Sequence, residues 1–98
     1  MKERVARYET ILNASVEVTQ NFHAALQEFA RNLGEFEALK EYYGSSEYQD
    51  DLQLYRDGGL EGVACGVLSE DAVYDLVGEH YELYMRMLEV ATAGLRKW

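Results

Sequence analysis

Apolar residues recur at alternating steps of three and four along residues 5–36, and this spacing constrains the fold more than any other feature of the chain. Ser15 and Thr19 occupy the two positions of the pattern that are not apolar, and the pattern keeps its phase through them. Such spacing predicts a long helix that packs at a shallow angle against another helix. The chain contains no proline, the strongest helix breaker, which suits long helices. The apolar members are Val5, Tyr8, Leu12, Phe22, Leu26, Phe29, Leu33 and Phe36, and Ile11, Val18 and Ala25 widen the stripe on one side.

Glycines predict where this first helix is interrupted and where it stops. Gly34 costs about 1 kcal/mol relative to alanine inside a helix. Gly34 therefore either lies in a continuous helix at that cost or marks a kink. We favour a kink or short break near Asn32–Gly34, which divides the helix into residues 3–33 and 35–43. Gly44 is the predicted stop, because glycine is the usual residue just past a helix end.

A serine signal and a glycine signal delimit a short second helix. Ser46 is followed three residues later by Gln49, which is the spacing of a capping box. We expect a helix over residues 46–57 that ends before Gly58, with Tyr48, Leu52 and Tyr55 on its buried side. Residues 58–68 contain four glycines and predict a loop.

The last helix is predicted over residues 69–96, with Ser69 as its cap. Leu68 and Val73 match a hydrophobic staple across that cap. The helix carries two adjacent apolar seams, so two different elements have to cover it. One seam contains Tyr74, Val77, Tyr81, Tyr84, Leu88, Ala91, Leu95 and Trp98, and the other contains Leu76, His80, Leu83, Met87 and Val90.

These elements predict an all-α protein, a single domain over residues 1–98. The expected architecture is an antiparallel hairpin of two long helices joined by a short bridging helix. The second cover on the last helix is either that short helix or another copy of the chain. A domain of this size has a modest core, so we expect a homodimer that forms a helical bundle.

The charge balance narrows the classes of partner. The chain has 18 Asp and Glu against nine Lys and Arg, a formal net charge of −9. Binding of phosphate groups needs clustered Lys and Arg, so the composition argues against direct binding to nucleic acid or to an anionic membrane. A basic protein partner remains compatible with it.

Cysteine usage and the N-terminus bear on the compartment. Cys65 is the only cysteine, so no intramolecular disulfide forms and no oxidising compartment is required. MKERVARYET lacks the apolar core of a signal peptide, and no apolar run approaches the ~18 residues of a membrane span. We expect a cytoplasmic protein.

Two stretches, EYYGSSEYQDD at 41–51 and GVLSEDAVYDL at 66–76, carry a resemblance to a known family. They resemble small bacterial proteins described as domain of unknown function 4298, over roughly residues 36–77. The resemblance implies an all-helical bacterial protein and transfers no catalytic residue, because the family has no assigned activity. The chain departs from the family in GGLEGVAC, where members tend to have a basic, proline-containing segment. The matching positions are Tyr42, Tyr43, Gly44, Ser45, Gly66–Asp71 and Tyr74.

The acidic residues, His80 and Cys65 are the candidates for metal binding or catalysis. Acids in the first turns of the short helix favour its positive dipole end, and the calcium-loop pattern is absent. Glu79 and Glu82 form an ExxE pair, the spacing with which helical nucleotide pyrophosphatases hold magnesium, but no basic cluster accompanies it. We expect His80 to be a core or interface histidine. Cys65 is expected to be inert, because a catalytic thiol needs a base or a positive charge beside it and the charged neighbours of Cys65 are acidic.

The function predicted from these features is a non-enzymatic protein-interaction or adaptor module, without catalytic residues, cofactor or metal. One alternative is an acidic decoy or inhibitor of a basic or nucleic-acid-binding protein. The other is a magnesium-dependent helical hydrolase acting on nucleotides. Seven residues form the predicted interaction surface: Tyr42, Tyr43, Glu47, Tyr48, Asp50, Asp51 and Tyr55.

Overall fold

The protein consists of three α-helices and one 3-10 turn, without a β-strand, in a computed structural model that describes residues 1–98. The predicted all-α class is confirmed. None of the helices combines the length and apolarity that crossing a membrane requires. The elements are α1 (Lys2–Tyr43), α2 (Ser46–Arg56), the 3-10 turn Gly66–Leu68 and α3 (Ala72–Arg96).

The chain divides into two compact units, Met1–Phe36 and Glu37–Trp98. The first unit is a single stretch of α1, in which Phe36 is buried and Phe29 and Leu33 are half-buried. The second unit holds the end of α1 together with α2, the 3-10 turn and α3. The single domain over residues 1–98 stays a prediction.

The predicted break near Asn32–Gly34 is wrong, because α1 runs without interruption from Lys2 to Tyr43. The apolar stripe keeps its phase across the glycine, and a break would take Leu33 and Phe36 out of register. A Cβ at Gly34 would meet nothing within 4 Å, so the glycine is in open space rather than at a close packing contact. The intrinsic cost of glycine, about 1 kcal/mol, is too small to interrupt a helix of this length.

The core of the second unit is built around the 3-10 turn. Both α2 and α3 pack on this turn, and Leu68 at its end is buried. Tyr48 from α2 and Val73 and His80 from α3 are the other buried side chains of the unit. The loop predicted over residues 58–68 therefore supplies a central element of the packing.

The cap of α2 is Ser45 and not the predicted Ser46. Ser45 has an extended backbone (φ −99°, ψ 165°), and its Oγ accepts a hydrogen bond from the Tyr48 N–H at 3.2 Å. Ser46 is already the first helical residue, so the capping box with Gln49 does not form. The predicted stop of α1 after Tyr43 is correct, although Gly44 does not adopt a left-handed conformation.

The end of α2 falls where the double glycine predicts it. Gly58 has φ +82°, the left-handed conformation that glycine adopts without steric cost. The Gly58 N–H donates to the Tyr55 carbonyl at 3.1 Å, and the Gly59 N–H donates to the Leu54 carbonyl at 2.9 Å. These two bonds form a Schellman motif, which satisfies carbonyls at the helix end.

α3 begins at Ala72, three residues later than predicted. Ser69 closes the 3-10 turn instead, because its N–H donates to the Gly66 carbonyl at 3.1 Å. The residue before the helix is Asp71, whose side chain makes no capping hydrogen bond. Leu68 and Val73 are both buried, but they flank a turn rather than a cap and do not form the predicted staple.

The buried side of α3 is the one led by His80. Leu76, Val77 and Met87 are half-buried, whereas Tyr74 and Tyr81 are 70% and 66% exposed. Of the two predicted seams, the one with Leu76, His80 and Met87 is therefore the more buried, although its Leu83 is exposed and Val77 of the other seam is half-buried.

Candidate functional site

Three tyrosine rings meet where α1 ends and α2 begins. The Tyr48 ring lies 5.6 Å from Tyr42 and 5.1 Å from Tyr43 between centroids, with interplanar angles of 82° and 62°. Edge-to-face contacts of this kind stabilise aromatic pairs beyond their buried area. Ser45 fixes the turn between the two helices, since its hydroxyl also donates to the Tyr42 carbonyl at 2.6 Å.

A short hydrogen bond joins α1 to α2 beside these rings. The Tyr42 hydroxyl donates to the Asp51 carboxylate at 2.7 Å, and both residues are half-buried. The bond to Asp51, followed by desolvation and by the negative charges of Asp51 and Glu47, raises the pKa of Tyr42 to about 12. The phenol is therefore held as a neutral donor, and Asp51 is committed to an internal partner.

A cleft of about 320 Å³ opens next to the tyrosines, between α2 and the 3-10 turn. Its apolar lining comes from Tyr43, Tyr48, Leu52 and Leu68. Arg56 and Glu70 add one charge of each sign to the lining. The volume lies at the lower end of the range of ligand pockets, roughly 300–1,000 Å³, and matches one inserted side chain or a small molecule.

The unit that carries this cleft is acidic. Residues 37–98 contain 13 of the 18 Asp and Glu but only five of the nine Lys and Arg. Glu47 and Asp50 on α2 are exposed, and Glu70 lines the cleft. An approaching segment with Lys or Arg beside an apolar anchor would therefore meet a complementary potential.

The predicted interaction surface is only partly a surface. Tyr48 is 6% exposed and forms the floor of the cleft, whereas Tyr55, predicted on the buried side of α2, is 51% exposed. Tyr42 and Tyr43 are half-buried, and Glu47 and Asp50 are free to contact a partner.

Four lining residues were outside the predicted interaction surface: Leu52, predicted only on the buried side of α2, and Arg56, Leu68 and Glu70. Arg56 follows Tyr48 and Leu52 at steps of four, so helical spacing alone was a signal for it. No comparable signal identified Leu68 and Glu70, because their place beside α2 depends on the 3-10 turn.

Other candidate groups have local roles. His80 is buried as predicted, and its Nδ1 lies 3.3 Å from the Tyr84 hydroxyl. Cys65 is half-buried, and its Sγ donates to the Val63 carbonyl at 3.2 Å. Glu79 and Glu82 line an open depression with Leu83 and Arg86. No three side chains among the His, Cys, Asp and Glu residues are grouped to hold a metal ion.

Comparison with known proteins identifies one family. Residues 5–90 match the family described as Domain of unknown function (DUF4298). The match extends well beyond the two motif stretches on which the resemblance was based. No curated protein and no solved structure matches the chain.

Proposed function

Because the chain belongs to the DUF4298 family, whose function is unknown, its role has to be argued from its own surface, and we propose that it is a non-enzymatic docking module acting in the cytoplasm. The observation that carries this proposal is the cleft beside Tyr43 and Tyr48, with Glu70 in its lining, on a unit in which 13 acids outnumber five basic residues. Its apolar floor suits an apolar or aromatic side chain of a partner. Its acidic surroundings suit basic residues flanking that side chain.

The carboxylates of α2 support the proposal, because one of them is bonded within the protein and two are exposed. Asp51 is bonded to Tyr42 and so contributes to the frame of the site. Glu47 and Asp50 are exposed on the same helix, which leaves their carboxylates accessible to a partner. The cleft also lies in the acidic second unit, so electrostatic steering favours a basic partner over an acidic one.

Affinity capture from the native host with charge-reversed variants tests this proposal. We expect the Glu70→Lys, Asp71→Lys double variant, which reverses the acid in the cleft lining and the exposed acid next to it, to lose the proteins that the wild type captures. Asp51 is left unchanged, because its substitution would break the bond to Tyr42. Circular dichroism checks that the helices persist.

The matched control carries the same change in net charge on the first unit. Glu3→Lys, Glu17→Lys reverses two exposed carboxylates that do not line the cleft, and it should capture the same proteins as the wild type. If the double variant at Glu70 and Asp71 captured an unchanged set of proteins, the cleft would not be the docking site.

A second candidate function is favoured by the charge of the second unit, which contains 13 acidic and five basic residues. In this alternative the protein is an acidic decoy that occupies the binding face of a basic or nucleic-acid-binding protein. Its affinity would fall steeply with salt, because many exposed charges contribute. Both double variants would then weaken binding equally, which distinguishes the decoy from docking at the cleft.

A further inference from the structure

The first unit exposes a long apolar stripe on α1. Residues 10–27 contain a single formally charged side chain, Glu17. At 1.5 Å per residue, the stripe from Val5 to Leu26 is about 32 Å long. An exposed apolar patch of this extent marks an interaction surface. Its large members are each between 40% and 67% exposed: Val5, Tyr8, Ile11, Leu12, Val16, Val18, Phe22 and Leu26.

We propose that this stripe binds the same stripe of a second copy of the chain, with the two α1 helices antiparallel about a twofold axis at the level of residue 17. The proposal concerns the first unit and goes beyond docking at the cleft. A second copy is the occupant that accounts for the order of residues along the stripe, for its two polar positions and for its end charges.

The two polar positions of the stripe select the register. In an antiparallel pair about a twofold axis, residues share a layer when their numbers add to a constant value. A constant of 34 places Ser15 opposite the partner's Thr19, and the reverse contact repeats across the axis. Each hydroxyl then has another hydroxyl as neighbour, which avoids burying a polar group without a hydrogen bond.

The same register pairs the apolar residues by size. Leu12 lies opposite the partner's Phe22, and Tyr8 lies opposite the partner's Leu26. Large side chains therefore pack at both ends of the stripe, and the small Ser15 and Thr19 occupy the middle, where the helices cross. Layers of this kind are the knobs-into-holes contacts of paired helices.

Residues beside the axis are also compatible with close approach. Val16 and Val18 are one residue to either side of the level of the axis and lie on opposite edges of the stripe. In an antiparallel pair each edge meets the same edge of the partner, so each valine lies near its own copy there. Glu17, at the level of the axis, falls on the opposite face of α1 at 100° per residue, and the two Glu17 carboxylates do not meet.

The end charges favour the antiparallel orientation over the parallel one. Lys2, Arg4 and Arg7 cluster at the start of α1. A parallel pair would bring two such clusters together, whereas the antiparallel pair separates them by the length of the stripe. Each cluster then lies at the level of the partner's residues 27–32, which include one acid and one base, Glu28 and Arg31.

Sedimentation of the full chain tests the proposal. We expect a dimer across the micromolar range and a monomer for Phe22→Glu, which places a charge in the apolar layer. Ala24→Glu adds the same charge on the exposed opposite face and should remain a dimer. A wild-type monomer, or a dimer that Phe22→Glu leaves intact, would overturn the proposal.

Cysteine crosslinking tests the register, and it decides the matter if Phe22→Glu loses its helix content. In a Cys65→Ser background, Leu12→Cys and Phe22→Cys chains should each give no covalent dimer alone under mild oxidation. Their mixture should give a covalent heterodimer. A covalent homodimer of Leu12→Cys would indicate a parallel pair, and no crosslink in the mixture would reject the register; either result overturns the proposal.

Discussion

Ser45 is the residue that joins α1 to α2. Its hydroxyl donates to the last turn of α1 at the Tyr42 carbonyl and accepts from the Tyr48 N–H in the first turn of α2. A single side chain therefore satisfies a carbonyl at one helix end and an N–H at the next. Without it, the Tyr48 N–H would have to find water in a half-buried junction, whereas the Tyr42 carbonyl would keep the bond from the Ser45 N–H at 3.0 Å.

Ser45→Ala should lower the free energy of unfolding by about 1 kcal/mol, the usual cost of losing a serine cap. Ser46→Ala, on the neighbouring exposed residue, should change it by less than about 0.5 kcal/mol. Urea unfolding followed by circular dichroism measures both. A larger loss for Ser46→Ala than for Ser45→Ala would contradict the assignment of the cap.

Tyr42 gives a pH-dependent contribution to stability. Its pKa in the folded protein is about 12, above the ordinary value of 10.0, because the neutral phenol donates to Asp51. The contribution is fully present below pH 10.0 and is lost as the pH rises through about 12. Asp51→Asn should lower the Tyr42 pKa toward its ordinary value, measured by phenolate absorbance.

Tyr42→Phe identifies the titration in that experiment, because it removes the phenol and should remove the transition near pH 12. If Asp51→Asn left the transition where it is in the wild type, the hydrogen bond would not be its cause.

At the same scale, the sequence predicted the neighbourhood of the site more accurately than its exact residues. Ser45 and Ser46 are both competent caps by residue type. The choice between them depends on which residue has the extended backbone, and this depends on the residue at which α1 ends. Tyr48 was predicted both on the buried side of α2 and in the interaction surface, and its burial bears out the first of these predictions.

At the scale of elements, α1 shows how periodicity outweighs a single glycine. The 3/4 spacing predicted one long helix, and the glycine rule predicted a break within it. The helix is continuous because Gly34 is compatible with helical backbone and only weakly unfavourable there. At Gly58, by contrast, glycine is required by a positive φ.

This difference predicts opposite signs for two glycine substitutions. Gly34→Ala should raise the free energy of unfolding by about 0.5–1 kcal/mol, because an added Cβ meets nothing within 4 Å. Gly58→Ala should lower it by about 1 kcal/mol, because φ is +82° there. Thermal unfolding of the two variants compares them directly, and a shift of the same sign in both would contradict the continuity of α1 or the left-handed cap.

At the scale of the whole molecule, periodicity predicted the all-α class and two motif stretches carried the family resemblance, and both are confirmed. The cleft was not predicted. It is formed by α2 and by a glycine-rich stretch that the sequence indicated only as a loop. The 3-10 turn has no periodic signal of its own, and its place in the core follows from Leu68 packing with Tyr48 and Val73 as buried neighbours in one unit.

The two proposals assign the two units different partners. The apolar stripe of the first unit, nearly free of charge, suits a second copy of the chain. The acidic second unit, with its cleft, suits a basic partner. A dimer formed through α1 would present two such clefts, and bivalent docking would raise the apparent affinity for a partner that carries two binding segments.

The claim that the cleft is the docking site is tested most directly by mapping amide NMR shifts on the full chain as a captured partner is added. We expect the largest changes in amide shift in α2 and at the 3-10 turn, over residues 46–56 and 66–70. Changes confined to residues 5–26, with those two segments unaffected, would contradict it.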